Sequence, residues 1–212
     1  ALELGLISSL TVLALFLSYS MLNVCDLCTD GCFTLGAVVG AVTALSGHPL
    51  LSIPAAMGAG VLSGLITSLL QTKMGIDSLL AGIIVNTGLY SINIAIMGGS
   101  SLLNMNKTTT IFTMMKSLVS SSFLAQSYKL VTALIFVALV VLFLSFFLKT
   151  RLGLSLRATG DNPDMVKSSS INPAFTTIIG LCISSSFTAL SGCLLAQSQK
   201  SVNVTIGSGM VT

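Results

Sequence analysis

Apolar residues follow one another along this chain in long continuous runs. Charged side chains are absent from five intervals: 4–25, 31–72, 78–106, 130–148 and 168–199. Each interval reaches or exceeds the roughly 18–20 residues that an apolar helix needs to cross a bilayer. Because the runs are continuous rather than alternating, they predict membrane-spanning helices and not the strands of a β-barrel.

The pattern predicts an all-α, polytopic integral membrane protein. It contains six apolar helical segments, at approximately Leu4–Asn23, Phe33–Leu45, Ile53–Gln71, Ile76–Met97, Leu130–Leu148 and Pro173–Gln197. The second segment is short and follows the polar stretch Asp26–Gly31, as in the discontinuous helices of many transporters. We therefore favour a broken or re-entrant second segment, which places the N-terminus in the cytoplasm; six full crossings place it outside.

Composition agrees with a chain covered by the lipid bilayer. Hydrophobic residues make up 53% of the 212 residues and charged residues 7%, whereas soluble domains have about 25% charged residues. The net charge of +3 is scattered, without the basic run that would indicate nucleic-acid binding. The first apolar run is too long for a signal-peptide core and is predicted to be a retained helix. We expect a multi-pass membrane protein.

Small residues recur at four-residue spacing inside the apolar segments. They are Gly36 with Gly40, Gly60 with Gly64, and Ser184 with Thr188 and Gly192. Such spacing lets helix backbones approach closely in a membrane. It predicts a compact bundle and does not by itself indicate transport.

Two polar stretches lie between the apolar segments. In residues 98–129, the part from Ile111 to Val119 is predicted to form an interfacial amphipathic helix. The stretch 149–172 lies on the same side of the membrane as Lys73, because two helices separate them. That side holds Lys73, Lys149, Arg151, Arg157 and Lys167, against Lys107, Lys116 and Lys129 opposite. The positive-inside rule therefore places 149–172 in the cytoplasm.

The cytoplasmic stretch contains signals for a short helix. Asp161 or Asn162 is predicted to cap it, with Pro163 at its first position and Asp164 in its first turn. Asn172 and the proline after it open the next membrane span. A capped helix held between two spans is suited to docking on a soluble partner, although an ordinary loop fits the same pattern.

Polar residues inside apolar segments are candidates for a translocation pathway, because they are costly in a membrane. Asp26, Asp30 and Gly31 lie at the break, where the acids either cap the following helix or meet a substrate ammonium group. The start of that helix also offers backbone N–H groups to a carboxylate. Asn86 and Asn93 lie seven residues apart on one helix face, for a pathway or for hydrogen bonds between helices.

Three cysteines, Cys25, Cys28 and Cys32, cluster beside the break. Zinc favours four ligands, and His48 is the one histidine in the sequence. We therefore interpret the cysteines as small residues packed near a helix end and predict no metal site.

Several motifs resemble the permeases of ATP-binding-cassette importers of the branched-chain amino acid and ribose type. They are residues 153–165, 192–197 and 207–210. Residues 26–37, 80–83 and 89–93 are similar to segments of the tryptophan/tyrosine transport subgroup of these permeases. The resemblance covers essentially the whole chain and implies a single permease domain over residues 1–212. Because family permeases are longer, we expect this chain to be truncated at its C-terminus.

The resemblance implies a function that depends on partners. Residues 149–172 would couple the permease to a cytoplasmic ATPase, through Arg157, Thr159, Gly160, Asp161, Asn162, Pro163 and Asp164. An extracytoplasmic substrate-binding protein would dock opposite, and a second permease copy would complete a homodimer. The ATPase would use ATP, so no cofactor is expected in this chain. The expected solute is an amino acid, taken up across the bacterial cytoplasmic membrane by alternating access. An aromatic amino acid is implied by the subgroup likeness alone.

Two other function classes compete with an importer. An ion-coupled secondary transporter would use buried carboxylates, for which Asp26 and Asp30 qualify. A membrane enzyme is disfavoured, since the chain has neither a nucleophile elbow nor metal-ligand spacing. The chain also lacks the nucleotide-binding pattern G-x-x-x-x-G-K-[ST], as expected for a subunit whose ATPase is a separate chain.

Overall fold

The structure, a computed structural model, describes residues 2–24, 26–105, 108–118 and 128–209. Its helices are α1 (Leu2–Leu15), α2 (Thr29–Leu45), α3 (Ser52–Lys73), α4 (Ser78–Ile96), α5 (Ile111–Leu118), α6 (Tyr128–Lys149), α7 (Arg151–Asp161), α8 (Pro163–Ser168) and α9 (Pro173–Gln199). A π-helical stretch, Phe16–Met21, continues α1, and a 3-10 turn, Pro49–Leu51, precedes α3. Two short strands, β1 (Leu102–Asn104) and β2 (Ser201–Asn203), form an antiparallel pair.

Five helical segments in the described part of the chain are long and apolar enough to cross a membrane. The helix α2 is apolar but shorter, with 17 residues. These six segments confirm the prediction of an all-α polytopic protein, and most of their ends lie within two residues of the predicted ones. The amphipathic helix expected at Ile111 is also present as α5. The β1–β2 pair, which links two connecting stretches, is the departure from an all-helical chain.

The helix α9 lies at the centre of the bundle, packed against α1, α2 and α3. Most of its residues are buried. Its contacts with α2 are backbone to backbone: a Cβ atom at Gly36 would collide with the Ala189 carbonyl, and one at Gly192 with the Phe33 carbonyl. A Cβ atom at Gly60 of α3 would lie 2.6 Å from the Ser185 carbonyl oxygen. The small residues therefore pack the bundle as predicted.

Contacts with α9 define two ends of the bundle. We call them the hairpin end, near β1 and β2, and the α7–α8 end. The helix α1 runs antiparallel to α9, since Ser191 donates to the Ile7 carbonyl and Ser184 to the Ala14 carbonyl, both at 2.8 Å. The last residues of the π-helical stretch reach the α7–α8 end, where Met21 lies against Gly160.

The helix α2 then runs parallel to α9 towards the hairpin end. Gly36 lies against Ala189, and Gly40 further along lies against Cys193. Leu2–Met21 and Thr29–Leu45 therefore form two opposite traverses of the bundle. The break expected before the second segment is present, and the first segment starts at the hairpin end.

The break between the first two traverses spans positions 22–28, and its described residues, 22–24 and 26–28, include internal hydrogen bonds. Asp26 is 6% exposed, and its Oδ1 accepts from the Cys28 backbone N–H at 2.9 Å. The Thr29 hydroxyl donates to the Asp26 carbonyl at 3.0 Å. These bonds start α2 four residues earlier than predicted, so that Asp30 lies in its first turn.

Two of the clustered cysteines pack at the start of α2. The sulfur atoms of Cys28 and Cys32 are 3.4 Å apart, and Cys32 Sγ lies 3.0 Å from the Ser63 hydroxyl of α3. Both side chains are buried. This confirms the packing interpretation for these two residues, while Cys25 lies outside the described residues. In the part of the chain that the structure describes, no group of metal-binding side chains is found.

Gln197 joins three helices near the hairpin end. Its buried side chain donates to the Ser52 hydroxyl of α3 at 2.6 Å and accepts from the backbone N–H of Ile111, the first residue of α5, at 2.9 Å. The side chain therefore satisfies an otherwise orphaned N–H group of α5. It fixes where α5 lies on the bundle.

We expect Gln197→Leu to destabilise the protein. The change leaves the Ile111 N–H and the Ser52 hydroxyl without their partner, at a cost of about 1–3 kcal/mol. A thermal unfolding scan of the purified protein in detergent checks this. Gln199→Leu is the control, because Gln199 is exposed at the end of the same helix. Equal melting temperatures for the two variants would contradict the assigned role.

Candidate functional site

The stretch between α6 and α9 folds into two short helices rather than a loop. Thr150 caps α7, with its hydroxyl accepting from the Gly153 N–H at 3.3 Å. Asn162 caps α8, with its Oδ1 accepting from the N–H groups of Asp164 at 3.1 Å and Met165 at 3.2 Å. Of the two caps predicted, the structure has Asn162. The helix α7 was not predicted, although Thr150 gives it an N-cap signal.

The predicted coupling residues divide into an exposed set and an inward set. Exposed residues are Arg157, Asp161, Asn162, Pro163 and Asp164. Thr159 is buried and donates to the Ser155 carbonyl at 2.7 Å. Gly160 faces inward. A Cβ atom there would collide with the Met21 carbonyl, so the glycine lets α7 pack closely on the end of the π-helical stretch. Met165, which sequence reasoning did not single out, is 69% exposed at the start of α8.

The helices α7 and α8 are anchored to the break that precedes α2. Buried Leu156 lies beside Leu22, since a Cβ atom at Gly180 would meet both side chains, at 2.8 and 2.5 Å. Val166 is buried and holds α8 against the bundle. The exposed surface of α7 and α8 is therefore anchored, in contact with Met21 and Leu22, which lead into α2.

A polar cavity of about 260 Å³ lies between α2, α4 and the segment after β2. We call it the α2–α4 cavity. Its lining residues are Asp30, Gly31, Thr34, Asn86, Thr87, Tyr90, Asn93, Val204 and Ser208. Four of the five predicted pathway residues therefore come together, whereas Asp26 lies within the break and faces a separate pocket beside α1.

Close packing positions the side chains of this cavity. A Cβ atom at Gly31 would lie 2.5 Å from Asn86 Oδ1, so the glycine leaves room for this side chain between α2 and α4. The Asp30 carboxylate accepts from the Gly209 N–H at 3.4 Å, which links α2 to the segment after β2. Asn93 is 1% exposed, and its Oδ1 has no hydrogen-bond partner among the described residues.

Sequence reasoning missed part of the cavity. Tyr90 lies between Asn86 and Asn93 at helical spacing, and the i, i+4, i+7 pattern places all three on one face of α4. That pattern was available in the sequence. Val204 and Ser208 gave no such signal, because their place beside α2 depends on the path of the chain after β2.

Comparison with known proteins gives matches over the whole chain. Residues 1–212 match the family described as permease component of branched-chain amino acid transport systems. A tyrosine transport system permease protein of Clostridioides difficile (strain R20291) is 38% identical over 206 residues, covering 97% of this chain and 66% of that protein. An uncharacterized protein of Rickettsia prowazekii (strain Madrid E) is 32% identical over 212 residues, covering 99% of this chain and 71% of that protein. The chain thus spans about two thirds of the length of these relatives. No solved structure was found to match it.

Proposed function

The chain belongs to the permease component family of branched-chain amino acid transport systems, and on this basis we propose that it is the membrane-spanning subunit of an ATP-driven importer. It is a multi-pass protein of the bacterial cell membrane. The observation that supports the importer most directly is the exposed surface of α7 and α8, anchored on the bundle. Such a surface is suited to receiving force from a soluble ATPase.

The proposed ATPase binds at the α7–α8 end. We assign this end to the cytoplasm, because the segments between its helices contain Lys73, Lys149, Arg151, Arg157 and Lys167. The substrate-binding protein then docks at the hairpin end, where β1, β2 and α5 lie. A second permease copy completes the pathway, which opens alternately to the two sides.

The contacts give a physical route between the ATPase surface and the cavity. A displacement of α7 acts on Met21 through Gly160 and on Leu22 through Leu156. Met21 precedes the break and Leu22 begins it, and the break leads into α2, where Asp30 and Gly31 lie. Packed elements of this kind move together when one of them is pushed.

The proposed solute is an amino acid, with tyrosine the first to test. The C. difficile relative is named a tyrosine transport system permease protein. The α2–α4 cavity offers polar side chains beside the ring of Tyr90, which suits a small polar solute.

Reconstitution with ATP tests the importer proposal. The full-length permease is expected to co-purify with a cytoplasmic ATPase, and vesicles containing both are expected to take up L-tyrosine only when ATP and the binding protein are supplied. A panel of other amino acids identifies the solute if tyrosine is not transported. Absence of both co-purification and ATP-dependent uptake of every amino acid would overturn the proposal.

Ion-coupled secondary transport is the second candidate, favoured by the carboxylate of Asp30 inside the bundle. The same vesicles distinguish the two. Uptake driven by an imposed proton or sodium gradient without ATP would support secondary transport, whereas uptake that requires ATP and ignores the gradient supports the importer.

A further inference from the structure

We propose that the α2–α4 cavity binds the ammonium group of its solute, an inference that rests on the proposed transport of amino acids. Neither the family nor the relatives assign a role to this cavity. The cavity lies between two helices of the bundle and is open to the outside, since Thr87, Tyr90 and Ser208 are exposed. The chemical class of the ligand follows from the atoms that line it.

The lining side chains offer acceptors of hydrogen bonds and negative charge. Asp30 supplies a carboxylate, and none of the described residues that line the cavity is a lysine, arginine or histidine. The hydroxyl protons of Thr34 and Thr87 are already used, since they donate to the carbonyls of Asp30 at 2.9 Å and Ile83 at 2.7 Å. Both oxygens therefore remain as acceptors.

Asn93 supplies the observation that points to a missing donor. Its Oδ1 is buried on the α4 side of the cavity and has no partner among the described residues. Buried polar atoms in folded proteins are nearly always hydrogen-bonded, so an exception requires an explanation. A hydrogen bond between helices, the alternative role for this asparagine, would satisfy that atom, and the part of the chain that the structure describes shows none.

An ammonium group fits these atoms better than a carboxylate or a neutral hydroxyl. It has three N–H donors and a positive charge opposite to that of Asp30. Tyr90 also lines the cavity, and an aromatic ring attracts a nearby cation. The amides of Asn86 and Asn93 can donate hydrogen bonds to a carboxylate. Its charge would nevertheless be repelled by Asp30, and no lysine, arginine or histidine among the described lining residues offsets that repulsion. We therefore expect the acid end of an amino acid to point out of the cavity.

The cavity also limits the size of what it holds. At about 260 Å³ it lies below the roughly 300–1,000 Å³ of pockets that enclose drug-sized molecules. It therefore takes the amine end of a small solute and leaves the remainder in the wider pathway.

Binding of three related probes to the full-length permease in lipid nanodiscs tests the inference. Tyramine has the ammonium group alone, 3-(4-hydroxyphenyl)propionate has the carboxylate alone, and L-tyrosine has both. We expect tyramine and L-tyrosine to bind and the propionate to bind at least about tenfold more weakly, since a charge-assisted pair is lost. Equal binding of the propionate and tyramine, or binding of neither amine, would overturn the inference. This comparison uses the unaltered protein and needs no variant to fold.

Two variants then locate the site. Asp30→Asn removes the charge with little change in shape, and Asn93→Leu removes the unpartnered acceptor; each is expected to weaken tyramine binding by about tenfold or more. Asp77→Asn is the matched control, because Asp77 is an exposed cap at the start of α4, away from the cavity. Affinity unchanged by Asp30→Asn in a monodisperse sample would refute the site.

Failure of the cavity inference and failure of the importer proposal give different results. If ATP-dependent uptake occurs but is unaffected by Asp30→Asn, the importer stands and the cavity is not the ammonium site. If the amines bind selectively and require Asp30, but no ATP-dependent uptake occurs, the site stands and the importer proposal fails.

Discussion

Replacement of Gly36 by leucine is expected to prevent accumulation of folded protein in the membrane. A Cβ atom at this position would collide with the Ala189 carbonyl, which is backbone and not the end of a flexible side chain. The helix α2 cannot move away to make room, because Gly40 and Gly192 hold the same interface in close contact. Overpacking a tight core costs about 1–3 kcal/mol even for small additions, and leucine adds four carbons at a backbone contact.

The yield of monodisperse protein, followed by fluorescence-detected size-exclusion chromatography, measures this effect. Gly58→Leu is the matched control: a Cβ atom at Gly58 of α3 would have nothing within 4 Å. We expect near-normal yield for that variant and an intermediate yield for Gly36→Ala. Equal yields for the two leucine variants would show that α2 and α9 are not in the contact described.

The importance of Gly36 was predicted from sequence only in part. The spacing of Gly36 and Gly40 indicated a close helix contact, since small residues four apart lie on one face. It did not identify the partner, because α9 begins more than a hundred residues later. The helix ends were predicted well, since they coincide with polar residues that leave the bilayer. The end of the bundle at which the first segment starts could not be predicted, because a charged break before a short helix fits both a re-entrant element and a full crossing.

Some residues of the candidate site could be identified from the local sequence, whereas others reach the site only through contacts between distant segments. Asp30, Gly31, Asn86 and Asn93 were selected because polar residues are rare in apolar segments, and the structure places all four on one cavity. Ser208 could not be selected that way. It comes to the cavity through the pairing of β1 with β2, which joins segments separated by α5 to α9. Contacts of that range are fixed by packing and leave no periodic signal.

Replacement of Met165 by glutamate is expected to uncouple the permease from the proposed ATPase. Met165 lies in the first turn of α8 with 69% of its surface exposed, so the folded bundle should tolerate the change. An apolar side chain at the tip of a capped, anchored helix fits a hydrophobic groove on a soluble partner, and a buried unpaired charge there costs several kcal/mol. We expect ATP-dependent uptake to fall by about tenfold or more, since each 1.4 kcal/mol of lost binding is a factor of ten.

The change Met74→Glu is the control for this prediction. Met74 follows α3 at the same end of the bundle and is 68% exposed, so the two variants add the same charge at equally exposed positions. Co-purification of the ATPase should be lost in Met165→Glu and retained in Met74→Glu, with equal thermal stability of the two permeases. If both variants keep the ATPase and its transport, α8 is not the coupling element. If both lose it, the partner binds the whole end of the bundle, and the force on α2 does not pass through α7 and the break alone.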